Sequence, residues 1–133
     1  VISALDHRFA WTSAPAVIGV VGEVLVAVGL GVTSLVVIQN SFAASTVQVE
    51  TGQTLVSTGL YGLVRHPMYT GNVVTVIGFP LALGSYWGLV SVIPGLIVLI
   101  VRIRDEEKLL AEELDGYLEY AQKARYRLVP YMW

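Results

Sequence analysis

A group of polar and aromatic residues, "YGLVRHPMYTG" at 61–71, directly precedes 31 residues without a charge, 71–101. Pro67 suits the first position of a helix, because the backbone N–H there has no intrahelical partner. Such a helix start exposes free N–H groups and the positive end of the helix dipole. With Arg65 and His66 beside it, this end would bind an anion such as a carboxylate or a phosphate. The alternative is interfacial anchoring, since Arg and Tyr are common at membrane edges.

A second group of candidates is acidic and lies in "RIRDEEKLLAEELDG", residues 102–116. At the α-helical period three of its apolar side chains share one face, and Glu107 lies about 40° from the centre of that face. Glu106 lies about 60° away on the other side, whereas Glu112 points away. A carboxylate on a buried face is costly unless a cation meets it. Glu107, and after it Glu106, are therefore candidates for a functional acidic pair, with a solvated face or an ion pair with Arg102 as the alternative.

Two further features carry charge or aromatic groups. The C-terminal segment "YLEYAQKARYRLVPYMW", 117–133, is aromatic and basic, which is typical of a binding site and equally of a cap against lipid headgroups. Glu23 stands in an apolar stretch, where a charge marks a functional site unless the nearby helix end lets it reach water. His7 and His66 form no recognisable metal motif, so no metal is expected.

The bulk composition is that of a membrane protein. Hydrophobic residues make up 55% of the 133 residues and charged ones 14%, and the mean hydropathy is +0.68. The chain contains no cysteine, which excludes disulfides and thiolate chemistry, and its net charge of −2 argues against a nucleic-acid partner. The length fits a single domain, 1–133. Because the chain begins at Val1, we expect it to be a fragment that lacks N-terminal spans.

The elements that position these residues are predicted to be helices, in an all-α membrane bundle. Residues 15–38 carry Glu23 as their only charge and have about the length that crosses ~30 Å of hydrocarbon. Residues 1–14 are polar enough for a loop or a helix edge. The polar stretch 39–66 is typical of a loop, in which "TVQVE" gives a weak strand signal.

The uncharged run 71–101 is predicted to be part of a transmembrane hairpin, 67–102. As one helix the run would be ~46 Å long, too long for a single crossing without strong tilt. A turn at "LGSYWG" places Tyr86 and Trp87 at a membrane interface, where amphipathic rings belong. It also places Arg65 on the same side as the basic residues of the tail, 103–133. The excess of positive charge then predicts that the loop and the helical tail are cytoplasmic.

The motifs "GLYGLVRHPMYTG", "LALGSYW", "RDEEKLL", "GYLEY" and "RYRLVPYMW" follow one another between residues 40 and 133. In this order they closely resemble the isoprenylcysteine carboxyl methyltransferase and phospholipid methyltransferase superfamily. The chain departs from that pattern at Leu60, where the family has proline. The resemblance implies an integral membrane enzyme that binds S-adenosylmethionine between the "RHPxYxG" segment and the cytoplasmic end of the last helices. We therefore expect the tail to fold back so that Glu107 and at least one of Tyr117 and Tyr120 lie near His66.

The resemblance also implies roles for individual residues. The cofactor carboxylate would lie at the helix start with Arg65 and His66, and its ammonium or ribose diol at Glu106 and Glu107. A tyrosine face would attract the sulfonium. Arg65 and Glu107 are the candidate catalytic residues, with Glu107 as the base if the acceptor is an amine. The candidate cofactor-binding residues are Tyr61, His66, Pro67, Tyr69, Gly71, Glu106, Glu107, Tyr117, Tyr120 and Arg125.

The resulting expectation is a multi-pass membrane methyltransferase with its active site facing the cytoplasm. It would move a methyl group from S-adenosylmethionine to a lipophilic acceptor similar to an isoprenylcysteine carboxylate. Three alternatives stay open: a phospholipid amine N-methyltransferase, an NADPH-dependent sterol-type reductase, and a non-enzymatic membrane subunit. Membrane lipids and the lipophilic substrate are the expected partners.

Overall fold

The computed structural model describes residues 1–40 and 55–133, and within these ranges the chain is helical, with turns but no strand. The helices are α1 (Ile2–Phe9), α2 (Ala16–Gln39), α3 (Leu60–Leu63), α4 (Pro67–Ala82), α5 (Tyr86–Val90), α6 (Val92–Glu113) and α7 (Tyr117–Lys123). The predicted all-α class is thus confirmed. The weak strand signal at "TVQVE" lies outside the described residues.

The long helices agree with the apolar stretches of the sequence. Helix α2 has 24 residues and matches the predicted segment 15–38 to within one residue at each end. Helices α2 and α5–α6, the latter counted as Tyr86–Glu113, are long and apolar enough to cross a membrane. Helix α4 is shorter, with 16 residues and Pro80 near its end. A turn follows α4, where the Ser85 N–H donates to the Pro80 carbonyl over 2.8 Å.

One compact unit consists of Val1–Gly31 and Gly71–Val98. In it α2 and α4 approach so closely that two glycines of α2 lie against the backbone of α4. A Cβ at Gly29 would stand 2.6 Å from the carbonyl oxygen of Gly71, and one at Gly22 would stand 2.5 Å from the carbonyl carbon of Leu81. Small residues permit such contacts between membrane helices, which pack without a hydrophobic driving force.

Helix α1 completes this unit and differs from the prediction of a loop or helix edge. Asp6 is 1% exposed and accepts a hydrogen bond from the hydroxyl of Ser85. The same hydroxyl caps α5 by accepting from the Gly88 N–H at 3.0 Å. Trp11 stacks on Phe9 at 5.5 Å and meets Trp87 edge-on at 6.3 Å. An eight-residue helix depends on such tertiary contacts, so its own sequence signal is weak.

The second compact unit consists of Val32–Thr70 and Leu99–Trp133. Its apolar core is formed by Tyr117, Tyr120 and Ala124 on the buried face of α7. The Tyr120 hydroxyl donates to the Tyr61 carbonyl at 2.7 Å, which fixes α3 against α7. The Asn40 amide, just beyond the end of α2, donates to the Tyr61 hydroxyl at 3.1 Å.

Candidate functional site

The "VRH" segment connects α3 to α4, and the C-terminal tail pairs with it. Val64 has φ −138° and ψ 154°, so the backbone leaves the helical region before Pro67 starts α4. The Arg65 N–H donates to the Tyr126 carbonyl at 2.8 Å, and the His66 N–H donates to the Arg127 carbonyl at 2.9 Å. These bonds confirm the prediction that the tail folds back onto this segment.

Glu107 is the centre of a cluster of charges. Its Oε1 atom lies 3.1 Å from Arg65 Nη1 and 3.1 Å from His66 Nε2. Its Oε2 atom accepts from Arg127 Nε at 2.9 Å. The Glu107 side chain is 11% exposed, and those of Arg65 and His66 are 12% and 4% exposed. The prediction that Glu107 lies near His66 is confirmed, and each of these charge-assisted bonds is of the stronger kind.

Glu106 belongs to a separate network on the same helix. Its Oε2 atom accepts from the Tyr69 hydroxyl at 2.7 Å, and that hydroxyl accepts from Arg102 Nε at 2.8 Å. The Tyr69 ring stacks on His66, with centroids 5.6 Å apart and planes 24° apart. Two contacts therefore fix the orientation of the His66 ring: the stacking on Tyr69 and the bond to Glu107.

Two buried donors lie beside the charge cluster and have no hydrogen-bond partner within the described part of the chain. They are Arg65 Nε and the hydroxyl of Tyr117. Burial raises the pKa of Tyr117 to about 12, as does the negative charge of Glu107, whereas Arg65 acts in the opposite direction. The hydroxyl therefore stays protonated at neutral pH. A buried donor without an acceptor costs about 1–3 kcal/mol, which a ligand oxygen would offset.

A pocket of about 310 Å³ borders α7, and Tyr120 forms part of its wall. The Tyr120 hydroxyl already donates its proton to the Tyr61 carbonyl. The volume is at the lower end for small-molecule pockets. The lining residues are Leu55, Ser57, Gly62, Gly116, Glu119, Tyr120, Lys123 and Ala124.

Most of the residues predicted from the sequence to form the site lie in the second compact unit. Two of the predicted residues, Arg125 and Gly71, do not contribute as expected. The side chain of Arg125 is exposed, and only its carbonyl meets the site, accepting from Arg65 Nη2 at 3.4 Å. Gly71 belongs to the other unit, where its carbonyl lies against Gly29. Glu23 is exposed on α2.

Sequence reasoning missed Arg127 as a member of the site, and it considered Arg102 only as an alternative ion-pair partner of the two glutamates. Arg102 precedes Glu106 by four residues on one helix, a spacing that places both on the same face and would have indicated their shared network. Arg127 had no comparable signal, because the tail beyond α7 is not helical and periodicity does not apply to it.

Comparison with known proteins assigns the chain to a family. The phospholipid methyltransferase family matches residues 17–115, which include the "RHPxYxG" segment and both glutamates but not α7 or the tail. The Delta(14)-sterol reductase TM7SF2 of Mus musculus is 30% identical over 95 residues, which is 66% of this chain and 22% of that protein. The chain thus spans about a fifth of that relative's length. Its family match and its apolar helices together make it a membrane protein of the phospholipid methyltransferase family, within the superfamily of membrane methyltransferases.

Proposed function

We propose that the protein transfers a methyl group from S-adenosylmethionine to a lipophilic acceptor that resembles an isoprenylcysteine carboxylate. Family membership supports methyl transfer in a membrane. The observation that carries the cofactor assignment is the pair of buried, unpartnered donors, Arg65 Nε and the Tyr117 hydroxyl, beside the Glu107 cluster in the described chain. S-adenosylmethionine supplies, when bound, a methyl group on a sulfonium together with a carboxylate that needs such donors.

The contacts of Glu107 change the role that the sequence suggested for it. A carboxylate that already meets Arg65, His66 and Arg127 has little capacity left for the cofactor ammonium. We assign Glu107 to holding Arg65 in place, which leaves the Nε of that guanidinium, unpartnered among the described residues, to bond the cofactor carboxylate. Glu107 acts here as a positioning residue.

The same contacts bear on the class of acceptor. An amine acceptor needs a base to keep it neutral, whereas a carboxylate acceptor needs none. A glutamate that is bonded to two arginines and to the ring of His66 is a poor proton acceptor, because protonation would leave both guanidinium charges unpaired. The arrangement therefore favours a carboxylate acceptor over the phospholipid amine that was the alternative. Methyl transfer then depends on alignment and on exclusion of water.

The reductase alternative is weaker. The sterol reductase relative is matched over 22% of its own length. This chain has Asn72 after Gly71 and the Glu106–Glu107 pair, where the reductase pattern has aspartate and a mixed acidic motif. A non-enzymatic subunit would bind neither S-adenosylmethionine nor NADPH.

The cofactor assignment is tested by thermal unfolding of the purified protein in detergent with S-adenosylmethionine, S-adenosylhomocysteine or NADPH. A ligand that binds the folded state raises the melting temperature. We expect both adenosyl compounds to raise it, and NADPH to have no effect. A shift with NADPH alone would establish the reductase, and no shift with any of the three would favour the subunit. Labelled S-adenosylmethionine added to membranes that contain the full chain then identifies the methylated product.

The cytoplasmic orientation is also part of the proposal, and the absence of native cysteine makes it testable with single cysteines. Leu83 at the turn after α4 is 61% exposed, and Leu118 on α7 is 64% exposed. We expect a membrane-impermeant thiol reagent to label Leu118→Cys from the cytoplasmic side and Leu83→Cys from the opposite side. The reverse pattern would place the site outside the cytoplasm.

A further inference from the structure

Arg102 is the first charged residue after the uncharged run 71–101. It lies on α6 and is half-buried. Its Nε atom donates to the Tyr69 hydroxyl at 2.8 Å, and its guanidinium stands 5.8 Å from the centroid of that ring. Its Nη2 atom is buried and has no hydrogen-bond partner among the residues the structure describes. The Nε atom of Arg102 is thus fixed by Tyr69, whereas its Nη2 atom lacks an acceptor among the described residues.

The surrounding charges leave Arg102 without a carboxylate of its own. Glu107 is shared by Arg65, His66 and Arg127. Glu106 reaches Arg102 only through the hydroxyl of Tyr69, and no direct ion pair to Arg102 occurs in the described ranges. A half-buried cation in this state favours an oxyanion from a ligand, since a guanidinium donor bonds most strongly to a carboxylate or a phosphate.

The position of Arg102 indicates what kind of molecule brings that oxyanion. The ten residues before it on α6, 92–101, are uncharged, so Arg102 marks the point where the helix leaves the hydrocarbon. The acidic groups of lipophilic molecules collect at this depth, with their chains in the bilayer. The cofactor carboxylate is assigned to Arg65, so a second anion position belongs to the other reactant.

We propose that Arg102 binds the oxyanion of the lipophilic methyl acceptor, and that Tyr69 and Glu106 hold its guanidinium in place for this purpose. The acceptor is then an amphiphile with a carboxylate or phosphate group, and a neutral lipid is a poor substrate. This inference rests on the proposed function, because it assigns the acceptor side of the same site.

The experiment compares ligands that differ only in the oxyanion, using the purified full chain in a non-ionic detergent. The carboxylate pair is N-acetyl-S-farnesylcysteine and its methyl ester, and the phosphate pair is dioctanoyl phosphatidic acid and dioctanoylglycerol. We expect the charged member of at least one pair to bind about tenfold or more tightly than its neutral partner. Preference within the carboxylate pair identifies an acid acceptor, and preference within the phosphate pair alone identifies a phospholipid. Equal binding within both pairs would overturn the proposal.

Three variants assign the preference to Arg102. In Arg102→Gln the preference should disappear, and in Arg102→Lys, which keeps the charge but not the planar fork, it should be reduced. The control is Arg104→Gln, the same change at an exposed position on the same helix, which should keep the full preference. Survival of the preference in Arg102→Gln, or its loss in Arg104→Gln, would contradict the proposal. If Arg102→Gln does not fold without its bond to Tyr69, the proposal is tested by the ligand pairs on the wild type and by the preference measured in Arg102→Lys.

Thermal shifts with S-adenosylmethionine separate this inference from the proposed function. Arg102→Gln should retain the wild-type shift, because the cofactor carboxylate is assigned to Arg65. Loss of that shift in Arg102→Gln would mean that Arg102 serves the cofactor, and would overturn the assignment to the acceptor. Failure of the wild type to respond to S-adenosylmethionine would instead contradict the cofactor proposal, while the ligand pairs would still report on Arg102.

Discussion

The two compact units of this protein are held together by different kinds of contact. In the first, α2 and α4 meet through glycines, and Gly22 and Gly29 bring one backbone against the other. In the second, Arg65, His66 and Arg127 converge on one carboxylate, Glu107. The first contact therefore depends on the size of a side chain and the second on charge. Substitutions that change volume and substitutions that change charge should accordingly affect different properties.

The largest effect on stability is expected from Gly22→Ala. The added methyl group would overlap the backbone of Leu81 and Ala82, and such overpacking costs about 1–3 kcal/mol. The matched control is Gly31→Ala, the same change on the same helix at a position where the added Cβ would meet no described atom within 4 Å beyond its chain neighbours and the backbone of its own helix. Gly31→Ala should be neutral or slightly stabilising, because alanine favours the helix. Equal melting temperatures for the two variants in detergent would show that the close helix contact is absent.

Arg65→Ala tests the charged unit. It removes the guanidinium that meets Glu107 at 3.1 Å and carries one of the unpartnered donors in the described chain. Loss of a charge-assisted bond costs about 1.5–3 kcal/mol, so S-adenosylmethionine should bind about ten- to a hundredfold more weakly. The measurement is calorimetric titration at equal protein folding. An unchanged affinity would remove Arg65 from the cofactor site.

Arg127→Ala and Arg125→Ala form a matched pair within the tail. The Arg127 side chain bonds Glu107 at 2.9 Å but is 30% exposed, so its loss should weaken cofactor binding less than the loss of Arg65. The exposed side chain of Arg125 should be replaceable without effect on cofactor affinity. A larger effect at Arg125 than at Arg127 would restore the prediction made from the sequence.

The smallest effect is expected from Tyr117→Phe. Its hydroxyl has no partner among the described residues, so the variant without ligand should be as stable as the wild type or slightly more stable. Cofactor affinity should fall only a few-fold, since a neutral hydrogen bond contributes about 0.5–1.5 kcal/mol. A lower melting temperature without ligand, combined with unchanged affinity, would show that the hydroxyl serves the fold alone.

Features that depend on local sequence patterns were predicted, whereas features that depend on contacts between distant residues were not. The long apolar helices and the inward position of Glu107 follow from hydrophobic runs and helical periodicity, and both appear in the structure. Helix α1 was missed because its stability comes from the contact of Asp6 with Ser85, far away in the sequence. The contact of Arg65 with Glu107 is equally non-local. Sequence reasoning therefore treated the basic and acidic groups as two binding positions, whereas the structure joins them in one cluster.

The central claim, that the Glu107 cluster forms the cofactor site, is tested most directly by Glu107→Gln against Glu112→Gln. Both changes keep the shape of the side chain and remove one charge from the same helix, but Glu112 is exposed. In a methyl-transfer assay at equal expression, Glu107→Gln should lower activity about ten- to a hundredfold, because Arg65 and Arg127 lose their shared carboxylate. Glu112→Gln should have nearly wild-type activity. Equal activities of the two variants would contradict the account and leave the acidic pair as an ordinary helix surface.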